Sequence, residues 1–247
     1  MVAKQNASDG GPGTYTRFAG GSTWKGVTAG PYYQNGIGAY NKDDYDKAIA
    51  EFTQAIQALP NLFSPYYMRA FSYHSKGDYD KAIADYNEAI RLNPNYAAVY
   101  KYRGDAYNYK GDSDKAIADY SAAIRIDPNY AAAYYERGTV YSNKGDYDKA
   151  IADLNEAIRI DPKYTSAYNN RAFAYNGKGD YDKAIADANQ AIQLDPNFAN
   201  PYRHRGYAYM MKGNFTQARA DTNKALQLNP NYQRAKDLDA ELRQKGY

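Results

Sequence analysis

Pro60, Pro94, Pro128, Pro162, Pro196 and Pro230 follow one another at intervals of 34 residues without a break. The text between them returns as well. The stretch from Lys76 to Asp85, KGDYDKAIAD, reappears at 110 (with Ser113 for tyrosine), at 144 and at 178. A fixed period of this length marks a chain built by stacking like units, each of which buries its apolar face only against its neighbours. Such a chain offers a surface for holding something before it offers a site for reacting with it.

Composition narrows the choice. The 247 residues carry a net charge of +3 with 24% charged side chains, and the charges are not gathered into runs. No general affinity for nucleic acid or membrane surfaces is therefore expected. The absence of cysteine removes disulfides, thiolate nucleophiles and thiolate metal sites. The first nine residues hold no apolar core for a signal peptide, and nowhere is there an apolar stretch of membrane-spanning length. The compartment is left open: cytoplasmic by default, extracellular if a leader has been removed.

One unit, residues 97–130, shows how each block folds. Tyr100, Gly104 and Tyr107 recur at i, i+4, i+7 and form one face of a first helix. Gly111 ends that helix where a positive φ is needed, and Asp112 is placed to cap a second helix. Ala116, Tyr120 and Ala123 give the second helix its face before Pro128 stops it. The small residues let the two helices approach, and the tyrosines fill the space around them.

These residues resemble the tetratricopeptide repeat. At the family's signature offsets the second unit reads Tyr66, Ala70, Tyr73, Ala82, Tyr86, Ala89, Pro94, and the fourth reads Tyr134, Gly138, Tyr141, Ala150, Leu154, Ala157, Pro162. Units begin at 29, 63, 97, 131, 165 and 199, so the expected organisation has three parts: a Gly-rich extension over 1–28, six repeats over 29–232 and a capping helix over 233–247. The last is expected to turn Ala235, Leu238 and Leu242 onto the sixth repeat. The resemblance implies an all-α, right-handed superhelical solenoid of helix-turn-helix repeats. Unit one departs from the pattern, with Ala39 and Asp43 where the others carry an aromatic and a glycine. Arg69, Arg103, Arg137, Arg171 and Arg205 stand at the seventh position, which is usually apolar in the family. Asp85, Asp119, Asp153, Asp187 and Asp221 stand sixteen residues on. This pairing predicts an Arg–Asp ladder between the two helices of each unit; the alternative is an anion-binding row of arginines.

Most of the 30 tyrosines fall at positions of the repeat expected to pack. The opposite face of the first helix is the one that lines the inner groove in tetratricopeptide arrays. It carries Tyr33, Ile37, Tyr67, Phe71, His74, Lys101, Asp105, Asn108, Tyr109, Tyr135, Thr139, Asn169, Phe173, Asn176, Arg203 and Tyr207. Aromatic and amide side chains with few charges suit a peptide-binding surface. The resemblance thus implies a non-catalytic scaffold that holds an extended segment of a protein partner. The carboxylate clamp that some family members carry is not expected, because Asp105 stands where an asparagine is needed and the required Lys/Arg pair is missing.

The first 28 residues hold six glycines, no helical period and three spaced aromatics, Tyr15, Phe18 and Trp24. They read either as a flexible tail or as a docking segment for the protein's own groove or that of the next copy, which would make a self-assembling filament.

Catalytic machinery is not expected. His74 and His204 lie far apart without other ligands, the acidic residues near Asp44 lack calcium-loop spacing, and no phosphate-cradling glycine loop is present. No metal or cofactor is expected. Single-stranded RNA, read one base per helical repeat, is the remaining alternative, but Lys101 and Arg203 are the only basic residues on the inner face.

Overall fold

The computed structural model describes residues 29–247. These form thirteen α-helices, and no strand occurs among the described residues. They divide into two compact units, one ending at Pro128 and the other beginning at Asn129.

The first unit holds three helix pairs: α1 (Ala29–Tyr40) with α2 (Tyr45–Ala58), α3 (Phe63–Ser75) with α4 (Tyr79–Leu92), and α5 (Ala97–Tyr109) with α6 (Ser113–Ile126). The second holds α7 (Ala131–Asn143) with α8 (Tyr147–Ile160), α9 (Thr165–Lys178) with α10 (Tyr181–Leu194), and α11 (Ala199–Met211) with α12 (Phe215–Leu228). It closes with α13 (Gln233–Gln244). Each expected 34-residue block is one helix pair.

The turn inside each pair follows from backbone chemistry. Gly111 takes φ +85°, and Asp112 N then donates to Tyr107 O at 2.9 Å, the bond that wraps over a left-handed helix end. In the first pair Asp43 takes that conformation, at φ 61°. Asp43→Gly is expected to raise stability by about 0.5–1 kcal/mol by removing the Cβ from a left-handed position. A denaturant midpoint at or below wild type would refute this.

Capping is more varied than the repeat suggests. Asp44, Asp112 and Asn214 accept the backbone N–H three residues on, each at 3.2 Å. Asp78, Asp146 and Asp180 hold the same place without that bond, their carboxylates 2.6–2.7 Å from Lys81, Lys149 and Lys183.

Small residues set the helix spacing. A Cβ on Gly104 would come within 2.8 Å of the Tyr120 ring, which is itself fully buried between α5 and α6. Ala82, Tyr86 and Ala89 in the first unit, and Ala150, Leu154 and Ala157 in the second, fill the same layer with no exposure.

The expected Arg–Asp ladder is present. Arg69, Arg103, Arg137, Arg171 and Arg205 each grip their aspartate through Nε and Nη2 at 2.6–2.8 Å. The side-by-side geometry matches a planar guanidinium to a carboxylate. The ladder also reaches backwards. Nη1 of Arg69, Arg103, Arg171 and Arg205 donates to Thr53, Asn87, Asn155 and Asn189 on the second helix of the preceding pair. A second set of links joins Lys76, Lys110, Lys178 and Lys212 to Asp46, Asp80, Asp148 and Asp182 of the pair before.

In α13, Ala235, Leu238 and Leu242 are buried. Leu238 and Leu242 pack on Met210 and Ala218, while Ala235 packs on Tyr202 and Ala225. Asp239 pairs with Arg219, and the Tyr247 ring stacks on Phe215 at 4.2 Å.

Candidate functional site

The inner-face residues sit on the first helices of the pairs, which lie side by side: α3 touches α1 and α5, and α9 touches α7 and α11. That contact decides which of them can meet a partner.

In the first unit Tyr67 and Phe71 are interior residues, 2% and 7% exposed. Tyr67 lies among Phe63, Tyr86, Tyr96 and Tyr102, and the Phe71 ring meets Tyr102 edge-on at 4.6 Å. Lys101 is also buried. Its ammonium pairs with Asp105 at 3.0 Å and lies 4.4 Å from the Tyr102 ring, while Tyr120 Oη donates to Asp105 at 2.9 Å. The charge counted as a basic groove residue is therefore neutralised from within. Tyr33 and Ile37 are half-buried, Tyr33 against Phe52 at 5.7 Å. Asn108 is half-buried as well.

The outward part of this face is aromatic. Tyr109 is 61% exposed and lies parallel to Tyr79, with ring centres 5.2 Å apart and 3° between planes. His74 meets both rings edge-on, at 5.4 Å and 5.6 Å. Burial lowers the pKa of His74, as does the Lys101 charge, with Asp105 opposing, so its ring is neutral at pH 7. Three rings hold one another in place there, one of them largely in solvent. Tyr79 belongs to this group although its position in the repeat reads as packing.

In the second unit Tyr135 and Thr139 are joined by Asn170, which donates to the Tyr135 hydroxyl at 3.2 Å and to Thr139 Oγ1 at 2.9 Å. Burial pushes the Tyr135 phenol up to about 12. Asn169 and Asn176 are buried. Asn169 donates to its neighbour Asn170 at 3.0 Å within α9, and Asn176 donates to the backbone carbonyl of His204 at 2.9 Å, which ties α9 to α11. Phe173 is half-buried between Tyr147 and His204. Tyr207 is half-buried too, with the Arg203 guanidinium 5.7 Å from its ring centre. His204 is wholly enclosed, and burial followed by the charges of Arg203 and Arg234 lowers its pKa to about 3. Sequence reading missed Asn170, His204 and Arg234 as parts of this face. Asn170 and His204 each stand one position beyond a residue already singled out on the same first helix, Asn169 and Arg203, and that spacing was the available signal; Arg234, on α13, offered none.

Tyr15, Phe18 and Trp24 lie outside the described residues. Among the described residues no cluster of three or more metal-ligating side chains occurs, and no helix is long and apolar enough to cross a membrane.

Comparison with known proteins agrees with this architecture. Models of the tetratricopeptide repeat match residues 71–107, 104–145, 131–164, 165–198 and 199–232, which leaves the divergent first block outside the match. A search of curated protein sequences finds no match. Among solved structures, the chain is similar to the APC/C Cut9–Hcn1 hetero-tetramer at 24% identity and TM-score 0.72, covering 87% of this chain and 42% of the other. It thus spans less than half of that protein's length. It is similar to YrrB, described as a tetratricopeptide protein with an unusual peptide-binding site, at 24% identity and TM-score 0.64 over 76% of this chain and 97% of that one. It is also similar to MamA, at 29% identity and TM-score 0.63 over 68% and 92%. The 34-residue period, the helix pairs it produces and the family matches over residues 71–232 lead to one conclusion: the chain belongs to the tetratricopeptide-repeat family.

Proposed function

We propose that this chain is a non-catalytic scaffold that binds an extended peptide segment of a protein partner along the inner faces of its first helices. The family is one of protein-interaction scaffolds, and the observation that carries the finer reading is the Tyr109 platform. A large aromatic 61% exposed, stacked on Tyr79 and braced by His74, adds little to the chain's own core. It costs little conformational entropy to immobilise, which is the property of an interface anchor. In the second unit, taken by itself, Thr139, Phe173 and Tyr207 on the first helices are half-buried.

Peptides selected by display on the full chain supply the test, with affinity measured by fluorescence polarisation. Tyr109→Ala is expected to weaken binding about tenfold or more, with the melting temperature unchanged. Unaltered affinity moves the site elsewhere. Tyr67 and Phe71 are unsuitable probes, because truncating them opens the core.

A further inference from the structure

Tyr109 ends α5 with its ring largely in solvent, held by Tyr79 and His74. The charges around this platform cancel. Lys101 pairs with Asp105 at 3.0 Å, Lys110 pairs with Asp80, and burial keeps the His74 ring neutral. A braced ring among cancelled charges is best matched by another ring. The chain carries such rings itself, because the 28 residues that precede α1 include Tyr15, Phe18 and Trp24.

Charge directs that segment to the first unit. Residues 1–28 have three Lys and Arg against one Asp and are positive. Residues 29–128 have 11 Lys and Arg against 13 Asp and Glu, whereas residues 129–247 have 17 against 14. The segment is thus attracted by the unit it adjoins and repelled by the other, over the short range that salt allows.

Reach selects the anchor. His74 and Tyr109 stand at the C-terminal ends of α3 and α5, and α3 touches both α1 and α5. From the start of α1 the platform is about one helix length along, ~18 Å, and two helix spacings across, roughly 25 Å in all. An extended chain covers about 3.3 Å per residue. Trp24, five residues before Ala29, falls short at about 17 Å, whereas Phe18, eleven before it, reaches about 36 Å. Tyr15 reaches only through a longer loop. Gly20, Gly21 and Gly26 leave the returning chain free to bend.

We propose that this segment turns back over the first unit and sets the Phe18 ring on Tyr109, so that the chain covers its own platform until a partner displaces it. The contact stands apart from the proposed function; only the displacement rests on it. The short tether holds Phe18 at a millimolar effective concentration, so a contact of millimolar strength covers the platform about half the time or more.

A chain without cysteine accepts one spin label at a chosen place. Ala19→Cys in the full-length protein takes a nitroxide, and its paramagnetic broadening is read on nitrogen-15 amide signals. Broadening is expected over residues 74–79 and 107–111 and not along α13. Phe18→Ala and Tyr109→Ala are each expected to abolish it with the melting temperature unchanged. Even broadening over both units, or broadening that survives Phe18→Ala, overturns the proposal. A mixture of spin-labelled chain lacking nitrogen-15 with unlabelled nitrogen-15 chain tests a second copy as the source. The same broadening in that mixture overturns the fold-back in favour of docking between molecules.

Display-selected peptides then separate the two readings. Phe18→Ala is expected to bind them roughly threefold tighter, because the competing segment is gone. Specific broadening with unchanged peptide affinity upholds the contact and overturns the displacement. Specific broadening with no peptide enriched upholds the contact and removes the proposed function.

Discussion

Asp187→Ala is expected to cost about 3–5 kcal/mol of stability, more than almost any other single truncation in the second unit. The carboxylate is 9% exposed and the guanidinium of Arg171 17%, with two parallel bonds of 2.7 Å between them. Burial raises the pKa of Asp187 against the opposing pull of Arg171. On the arginine burial works against the charge, yet the bonds to Asp187 leave its pKa raised. Neither partner is comfortable alone, so removing one strands the other.

Double variants separate this coupling from simple loss of packing. Arg171→Met with Asp187→Leu is expected to recover most of the lost stability, because apolar side chains of similar size replace a buried pair at little cost. Exchanging the charges between the two positions should recover less, since only an arginine at 171 is placed to donate to Asn155 at 2.6 Å. Urea unfolding of wild type, Arg171→Met, Asp187→Leu and the double variant gives the coupling energy, and additive losses would show that the pair does not act as one element.

The second large effect is one of pH. His204 is buried, with a folded pKa of about 3 against an ordinary 6.5. Above pH 6.5 the ring is neutral in folded and unfolded chains alike, and the stability is complete. As pH falls from 6.5 towards 3, the unfolded chain binds a proton that the folded chain refuses. Stability is then lost at about 1.4 kcal/mol per pH unit, or about 2 kcal/mol by pH 5. His74 shifts in the same direction and adds to the slope in the first unit. Hydrogen exchange of α11 between pH 5 and 7 isolates the His204 share. His204→Gln, whose side-chain oxygen can still accept from Arg203, is expected to flatten the dependence there. An unchanged slope would assign the acid sensitivity to other groups.

The Arg–Asp clamp was legible in the sequence because its two residues recur sixteen apart in block after block, and a contact that repeats leaves a repeating trace. The helix pairs were legible for the same reason, whereas α13 was read from its own stripe of Ala235, Leu238 and Leu242. The inner face was less so. Position in a block says which side of its own pair a residue occupies, but not how closely the next first helix presses on it. Tyr67 and Phe71 face the side expected for a groove, yet they are covered by Tyr102 from the following helix. Lys101 reads as a groove cation until Asp105, one turn on, closes on it.

The backward links from Lys and Arg to the preceding pair have an evolutionary consequence. The second and fifth blocks each carry both halves of the fasteners: cations that reach back, and the Asp and Asn side chains that receive those of the next block. A tandem duplication or loss of one such block through unequal recombination would leave every junction still matched. Length is therefore a quantity that this lineage can vary in whole-block steps, while the non-repeating residues near the terminus must be invented afresh each time.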